Sequence, residues 1–148
     1  MILTSIQLKN FRSHKNTQLD FSGQLNYIIG GNGHGKTSIL EAVYYLCTTK
    51  GYNSRTDSEI VSFGENDFEI TGQFKDLTEN RVGVYFSLQE NKKNYNRDGK
   101  SITRTSDVIG KFPVVILTPA DHSTKKSAEP SLDRRRRIAS WPGGTFLL

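Results

Sequence analysis

Residues 30 to 37 read Gly30-Gly31-Asn32-Gly33-His34-Gly35-Lys36-Thr37, and this stretch decides the fold. It satisfies the phosphate-loop pattern of Gly, four residues, Gly, Lys and Ser or Thr. Glycines lack a Cβ, so consecutive backbone N–H groups can converge on phosphate oxygens at the positive end of a helix. The pattern therefore predicts a site for the triphosphate of ATP. The alternative interpretation is a glycine-rich turn followed by a surface lysine.

The residues on either side of the loop favour the phosphate site. Leu25-Asn26-Tyr27-Ile28-Ile29 is a short, mostly apolar run that stops at Gly30, as expected for a buried strand that leads into the loop. After the loop, apolar residues recur at spacings of three and four, which predicts an amphipathic helix of about three turns. These residues are Ile39, Leu40, Ala42, Val43, Leu46 and Cys47. Strand, glycine loop and helix follow in the order that the motif requires.

The residues of the predicted site have distinct expected roles. Lys36 places a positive charge at the β and γ phosphates, and the Thr37 hydroxyl ligates Mg²⁺. His34 stands at a variable position, so its backbone rather than its imidazole is expected to contribute. The predicted cofactors are ATP and Mg²⁺, and no residue is predicted to be catalytic. The cofactor-binding candidates within and next to the loop are Gly30, Gly31, Asn32, Gly33, His34, Gly35, Lys36, Thr37 and Ser38.

Strands are predicted on both sides of this unit. Ile2, Thr4, Ile6 and Leu8 alternate with polar residues and predict an opening strand, followed by a second strand around 17–21. From Asp67 onward, a period of two on both sides of the polar turn 76–80 predicts an antiparallel hairpin. Asp98-Gly99 predicts a second hairpin, because this dipeptide tolerates positive φ angles. Another apolar run covers 113–117.

The composition is that of one soluble domain. The chain has 148 residues, of which 34% are hydrophobic and 24% charged. No run approaches the roughly 20 apolar residues of a membrane helix, and the start lacks the features of a signal peptide, so a cytoplasmic location is expected. Cys47 is the only cysteine, which excludes an internal disulfide and a cysteine metal cluster within one chain.

The charge balance is compatible with a polyanionic partner. Twenty Lys and Arg against 15 Asp and Glu give a net charge of +5. The run from Arg134 to Arg137 could contact DNA phosphates, or it could be a solvated helix face. Lys92, Lys93, Arg97 and Lys100 form a second candidate patch, with the same two interpretations.

The order of elements resembles an ATPase head of the ABC class, because two strands precede the loop and antiparallel hairpins follow its helix. More specifically, residues 1–137 resemble the start of the RecF family, relatives of the SMC heads. The resemblance implies an α/β P-loop NTPase fold, the first lobe of an ABC/SMC-type ATPase head, with a mixed sheet. It rests on Leu8-Lys9-Asn10-Phe11-Arg12-Ser13-His14, the phosphate loop, Tyr52 to Thr56, Glu59-Ile60-Val61, Phe63-Gly64, Asp98-Gly99, Leu117 to Asp121, Pro130-Ser131-Leu132 and the arginine cluster.

The resemblance also implies a function. Members of the RecF family are bacterial DNA replication and repair ATPases that bind ATP, dimerise around it and bind single-stranded and linear duplex DNA. They act with RecO and RecR in gap repair and support the SOS response. Carried over residue by residue, Arg12, Ser13 and His14 are expected near the adenine and phosphates. Arg12 could instead be a solvated charge, and Phe11 is expected to pack in the core.

The sequence also departs from the family pattern. No Ser-Gly-Gly signature is present, and Val114 to Leu117 is not followed by the Asp-Glu of a Walker B strand; Asp121 comes too late. After Arg137, Ile138-Ala139-Ser140 stands where the family has Phe-Leu-Asp. We therefore expect a fragment without the second lobe, in which 138–148 is a tail foreign to the fold. Such a chain is expected to bind ATP without hydrolysing it. The alternative function is a free-standing nucleotide-binding module that never hydrolyses.

Overall fold

One six-stranded antiparallel sheet forms the larger part of the described secondary structure, in the order β2-β1-β3-β4-β5-β6. The computed structural model describes residues 1–52, 54, 56–104 and 107–117. The arginine cluster 134–137 and the tail 138–148, whose roles were set out above as expectations, lie outside them. The strands are β1 (Ile2–Phe11), β2 (His14–Asp20), β3 (Asp67–Lys75), β4 (Glu79–Ser87), β5 (Lys92–Arg97) and β6 (Lys100–Ile102), and the helices are α1 (Lys36–Thr48) and a short 3₁₀ helix (Asp57–Ile60).

The core lies between α1 and one face of this sheet. The period-two residues of β3 and β4 are buried on that face, and α1 places Ala42, Tyr45 and Leu46 against them, each with no exposed surface. Phe11 packs edge-to-face on Phe68, which confirms its expected place in the core. Because strands alternate the direction of their side chains, the opposite sheet face is polar.

Both predicted hairpins are confirmed. β3 pairs with β4, and β5 pairs with β6 across Asp98-Gly99, whose φ angles are 50° and 77°. Such positive φ angles at both central residues belong to the turn type that matches strand twist. The predicted helix is also confirmed; it ends at Thr48 and is followed by the C-cap residue Thr49, whose φ of 62° is left-handed.

The predicted alternation in β1 is wrong at its beginning. The register against β3 shifts between Leu3 and Ser5, so Leu3, rather than Thr4, faces the core side opposite Phe74. Thr4 occupies the irregular position, and its hydroxyl donates to the Gln73 carbonyl at 3.1 Å. One extra residue in a strand moves every earlier side chain to the other face, which a strict period of two does not anticipate.

The prediction of a buried strand at 25–29 is also wrong. This segment joins no sheet of the described chain, and Leu25, Tyr27 and Ile29 are 59%, 78% and 90% exposed. The apolar run 113–117 is likewise outside the sheet, with Val115 and Leu117 about half exposed. An apolar strand is buried only when neighbours cover both its edges and its faces, and the described residues supply no such neighbours here.

No helix among the described residues is long and apolar enough to cross a membrane.

Candidate phosphate-binding site

The phosphate loop ends at the amino terminus of α1. Gly35 is the N-cap residue; no side chain of the described residues makes a capping hydrogen bond there, and the first turn contains no acidic residue. The first N–H groups of a helix have no partner within the helix, and together they carry a partial positive charge. This end of α1 therefore suits an anion, and the residues present fit a triphosphate.

Two glycines give the loop its shape. Gly33 and Gly35 have φ angles of 83° and 79°, which disfavour any residue with a Cβ. At Gly33 nothing lies within 4 Å of the position a Cβ would take, so backbone conformation alone favours glycine there. At Gly35 space is also lacking, because a Cβ would come within 2.6 Å of the Ser13 Oγ.

Lys36 bends back over the loop. Its Nζ donates to the Gly30 carbonyl at 2.7 Å and to the Gly31 carbonyl at 2.6 Å. Both acceptors are neutral, so phosphate oxygens would be stronger partners for the ammonium group. His34 folds its ring against Gly31, where a Cβ would lie 2.7 Å from ring atoms. The Lys36 ammonium group thus lies beside the carbonyls at the start of the loop.

A cavity of about 380 Å³ opens beside the first turn of α1. Most of its wall is apolar, and its polar lining consists of Ser22, Gln24, Asn26, Lys36 and Thr37. Thr37 is exposed, so its hydroxyl is available to a metal ion. Among the described residues, no group of three or more His, Cys, Asp or Glu side chains could hold a metal ion.

Arg12 lies against the side of α1 rather than at the loop's mouth. Its Nε and Nη2 donate to the two carboxylate oxygens of Glu41, both at 3.0 Å, and its Nη1 donates to the Glu59 carbonyl at 2.9 Å. The Glu41 side chain is 6% exposed. The guanidinium therefore neutralises a buried carboxylate, and its expected contact with nucleotide stays a prediction.

Sequence reasoning missed Glu41. A signal was present, because Glu41 falls between the apolar residues of the helical stripe, where a charge requires a partner. The identity of that partner depends on which strand lies opposite, and no spacing in the sequence gives it.

The turn between β1 and β2 supports the loop from behind. His14 is 9% exposed; its Nε2 lies 3.0 Å from the Gly35 carbonyl oxygen and its Nδ1 lies 3.0 Å from the Thr17 hydroxyl. Ser13 also packs on Gly35. The structure therefore brings Ser13 and His14 against the phosphate loop.

A second ionic cluster lies at the other end of α1. Lys93 Nζ donates to Asp57 Oδ2 at 2.8 Å, to the Thr49 carbonyl at 2.7 Å and to the Tyr45 hydroxyl at 3.1 Å. Tyr45 in turn donates to the other oxygen of Asp57. Burial raises the pKa of Tyr45, and the bond to Asp57 raises it further, so this phenol stays neutral.

Two of the four cations in the predicted basic patch on the second hairpin bond to other residues of the fold. Lys93 is engaged inside the fold, and Arg97 donates to Asn80 at 2.7 Å. Lys92 and Lys100 remain exposed.

Comparison with solved structures defines the class of protein. A structure of the recombination mediator protein RecF with ATP matches with a TM-score of 0.75 and 29% identity, over 82% of this chain and 34% of that one. A structure of SMC ATPases matches with a TM-score of 0.72 and 20% identity, over 91% of this chain and 96% of that one, and shows a shared fold. The predicted class, an α/β P-loop ATPase head of the ABC and SMC type, is confirmed.

Sequence comparison gives the family. Residues 5–136 match the AAA domain family, and the chain belongs to it. The DNA replication and repair protein RecF of Cytophaga hutchinsonii is 35% identical over 92% of this chain and 35% of the relative. RecF of Chlorobium limicola is 38% identical over 92% of this chain and 37% of the relative. The resemblance to RecF is therefore confirmed, and the chain spans about a third of the length of these relatives.

Proposed function

We propose that this chain is the ATP-binding part of a RecF-type DNA replication and repair protein. The uncapped amino terminus of α1 behind a glycine loop is the observation that carries the proposal, because it offers N–H groups and positive charge to phosphates. A relative of similar fold has been solved with ATP, which supports the choice of nucleotide.

The residues of the phosphate loop have different roles in the proposed nucleotide site. Backbone N–H groups from 31–38 hold phosphate oxygens, and Lys36 exchanges the Gly30 and Gly31 carbonyls for the phosphates. Thr37 supplies an oxygen to Mg²⁺, which when bound would neutralise charge on the phosphates. Arg12 contributes to the nucleotide site in this proposal through its contact with α1, or directly if ATP displaces Glu41.

The test of ATP binding removes the charge of the loop while leaving its glycines. In Lys36→Ala, affinity for a fluorescent ATP analogue should fall about 30-fold, the equivalent of a charge-assisted contact of about 2 kcal/mol. Lys50→Ala is the matched control, because Lys50 is exposed just beyond the other end of the same helix. Unchanged affinity in Lys36→Ala would contradict the assignment.

We propose further that the isolated chain binds ATP without turning it over. Hydrolysis needs Mg²⁺ held on both sides and an attacking water held in line, and the chain's sequence offers no Walker B pair for those tasks. Phosphate release with and without linear DNA tests this. Multiple turnover that Lys36→Ala abolishes would show a complete enzyme instead.

DNA binding is the remaining part of the proposal. We propose that the chain contributes to binding of single-stranded and linear duplex DNA, in a protein that forms an ATP-dependent homodimer and works with RecO and RecR in gap repair and SOS induction in the cytoplasm. The relatives are DNA replication and repair proteins, and the SMC structure concerns ATP-driven dimerisation and DNA-stimulated activation. The net charge of +5 and the exposed Lys92 and Lys100 are compatible with that role.

Salt dependence tests the DNA contacts. If basic side chains neutralise phosphates, the logarithm of the duplex affinity should fall with the logarithm of salt at about −0.9 per phosphate, whatever the base sequence. Replacing Lys92 and Lys100 by Gln should reduce that slope, and replacing Arg134 to Arg137 by Gln measures the contribution of the arginine run. A flat salt titration would contradict DNA binding through phosphates.

A further inference from the structure

The buried imidazole of His14 contacts the phosphate loop without reaching its mouth. We propose that His14 is a positioning residue, whose Nε2–H holds the Gly35 carbonyl and thereby directs the Lys36 backbone N–H toward a bound phosphate. This inference rests on the proposed ATP site, and it assigns to the first residue of β2 a role in shaping that site.

The hydrogen-bond partners of His14 fix its tautomer. The Gly35 carbonyl can only accept, and it lies 3.0 Å from Nε2, so Nε2 must carry a proton. In the neutral ring Nδ1 is then an acceptor, and the Thr17 hydroxyl at 3.0 Å donates to it. The Thr17 hydroxyl on β2 thus orients the His14 ring, and the ring in turn orients the Gly35 carbonyl.

The peptide between Gly35 and Lys36 transmits this contact. A trans peptide is planar, and its C=O and N–H point in opposite directions. The Gly35 oxygen accepts from His14 and also from the Ile39 N–H at 3.1 Å, so two donors fix the plane. The Lys36 N–H consequently points away from the core, at the uncapped end of α1. A bond donated to the carbonyl also polarises the peptide and strengthens its N–H as a donor.

The loop and the imidazole fit each other closely. A Cβ on Gly35 would lie 2.5 Å from His14 Nε2, well inside contact distance. Gly35 is therefore required both by its φ of 79° and by the ring packed behind it. The buried Nε2–H donor therefore restrains the Gly35 carbonyl in addition to the conformational preference of the glycine itself.

Two substitutions separate the two ring nitrogens. In His14→Gln the side-chain amide NH₂ reaches the place of Nε2 and can donate to the Gly35 carbonyl. In His14→Asn the amide reaches only the place of Nδ1, near Thr17. We expect His14→Gln to retain ATP affinity within about threefold and His14→Asn to lose roughly fivefold or more, the worth of one hydrogen bond. Equal losses in the two variants would overturn the proposal.

A spectroscopic measurement keeps the proposal testable without nucleotide. Long-range ¹H–¹⁵N NMR of the wild-type chain should show His14 as the Nε2–H tautomer, and the Lys36 amide ¹⁵N resonance should shift in His14→Asn but not in His14→Gln. An Nδ1–H tautomer would overturn the inference even if both variants failed to fold. Because these signals need no ATP, they distinguish a failure of this inference from a failure of the ATP site, which Lys36→Ala tests.

Discussion

At the scale of single residues, the bidentate pair of Arg12 and Glu41 joins the turn after β1 to the phosphate-loop helix. Removing one member of a buried ion pair leaves an uncompensated charge, at a cost of about 3–5 kcal/mol, whereas replacing both is often neutral. Arg12 is 28% exposed at its side chain, so the lower end of that range applies. The pair is therefore a structural connection as well as a candidate part of the site.

We predict that Arg12→Met lowers the free energy of unfolding by about 3 kcal/mol, and that the double variant Arg12→Met with Glu41→Leu recovers most of it. Urea denaturation of the two single variants and the double variant measures the coupling. A double variant no more stable than Arg12→Met would show that the salt bridge is not what the substitution disturbs. ATP titration of the double variant then tests Arg12 as a ligand separately from its structural role.

A pH-dependent prediction follows from Cys47, which is 4% exposed. Burial raises the pKa of Cys47 from 9.0 to about 12. The thiol therefore ionises more easily in the unfolded chain, and its contribution to stability is complete below about pH 9 and is lost as pH rises toward about 12. Over that window the slope is about 1.4 kcal/mol per pH unit for one such group. Denaturation midpoints at pH 8, 9 and 10 should fall more steeply in the wild type than in Cys47→Ala; parallel curves would show that Cys47 does not titrate as the burial requires.

The conformation of the phosphate loop can be anticipated from the sequence, because its glycines act through their own backbone, whereas the contacts of its residues with nucleotide stay a prediction. Gly33 and Gly35 are identifiable since no other residue tolerates their φ angles so easily. The partners of Arg12 and Lys93 could not be predicted in the same way. Each pair joins residues far apart in sequence, and only the arrangement of strands decides which carboxylate each cation meets.

At the scale of elements, Lys93 ties β5 to the end of α1 and to the start of the 3₁₀ helix. Its three ammonium protons have three acceptors, and the ring of Tyr45 lies 5.2 Å from its Nζ. Arg12 donates to the Glu59 carbonyl and Lys93 donates to Asp57, so the segment after α1 is attached to the rest of the fold at two points. The helix that carries the phosphate loop is thus fixed to the sheet by charges as well as by its apolar face.

We predict that Lys93→Met destabilises the fold by about 2–3 kcal/mol, because Asp57 and the Thr49 carbonyl lose their donor while partly buried. Lys92→Met is the matched control, since Lys92 is the adjacent residue of the same strand and is exposed, and its effect should stay within about 0.5 kcal/mol. Thermal and urea unfolding compare the two. Similar effects at both positions would argue that Lys93 makes no internal contact of consequence.

The elements that the sequence predicts correctly are the local ones. The two hairpins and α1 depend on nearby turns and on a single period, and all are confirmed. The pairing of β1 with β3 joins residues about 60 positions apart along the chain, as Leu8 opposite Ile70 shows, and the irregularity at Thr4 arises only within that pairing. Such features depend on the whole sheet and leave no pattern in one strand.

At the scale of the whole molecule, the segments 25–29 and 113–117 differ from the rest of the described chain. Both contribute to the wall of the cavity beside α1, through Ile28 and Val114 among others, yet neither has a sheet partner. Their composition is that of buried strands, and their outward side chains are exposed. The stability of the described fold therefore resides in the antiparallel sheet and α1, while the segment 25–29, which leads into the phosphate loop, has no strand pairing among the described residues and contacts the core through Ile28.

Hydrogen exchange tests this division. Amides of 25–29 have no ladder partner, so they should exchange close to the rate of an unstructured peptide. Amides of β3, which is paired on both sides, open only with the sheet and should be protected by a factor on the order of 10³ or more. The fully exposed Leu77, in the turn between β3 and β4, provides an internal reference for fast exchange on the same chain. Protection at 25–29 equal to that of β3 would mean that this segment is paired in solution. Its apolar sequence predicts such pairing, but the described structure shows none. ATP should slow exchange at 30–38, where it binds, and this slowing must disappear in Lys36→Ala if the phosphate loop is the site.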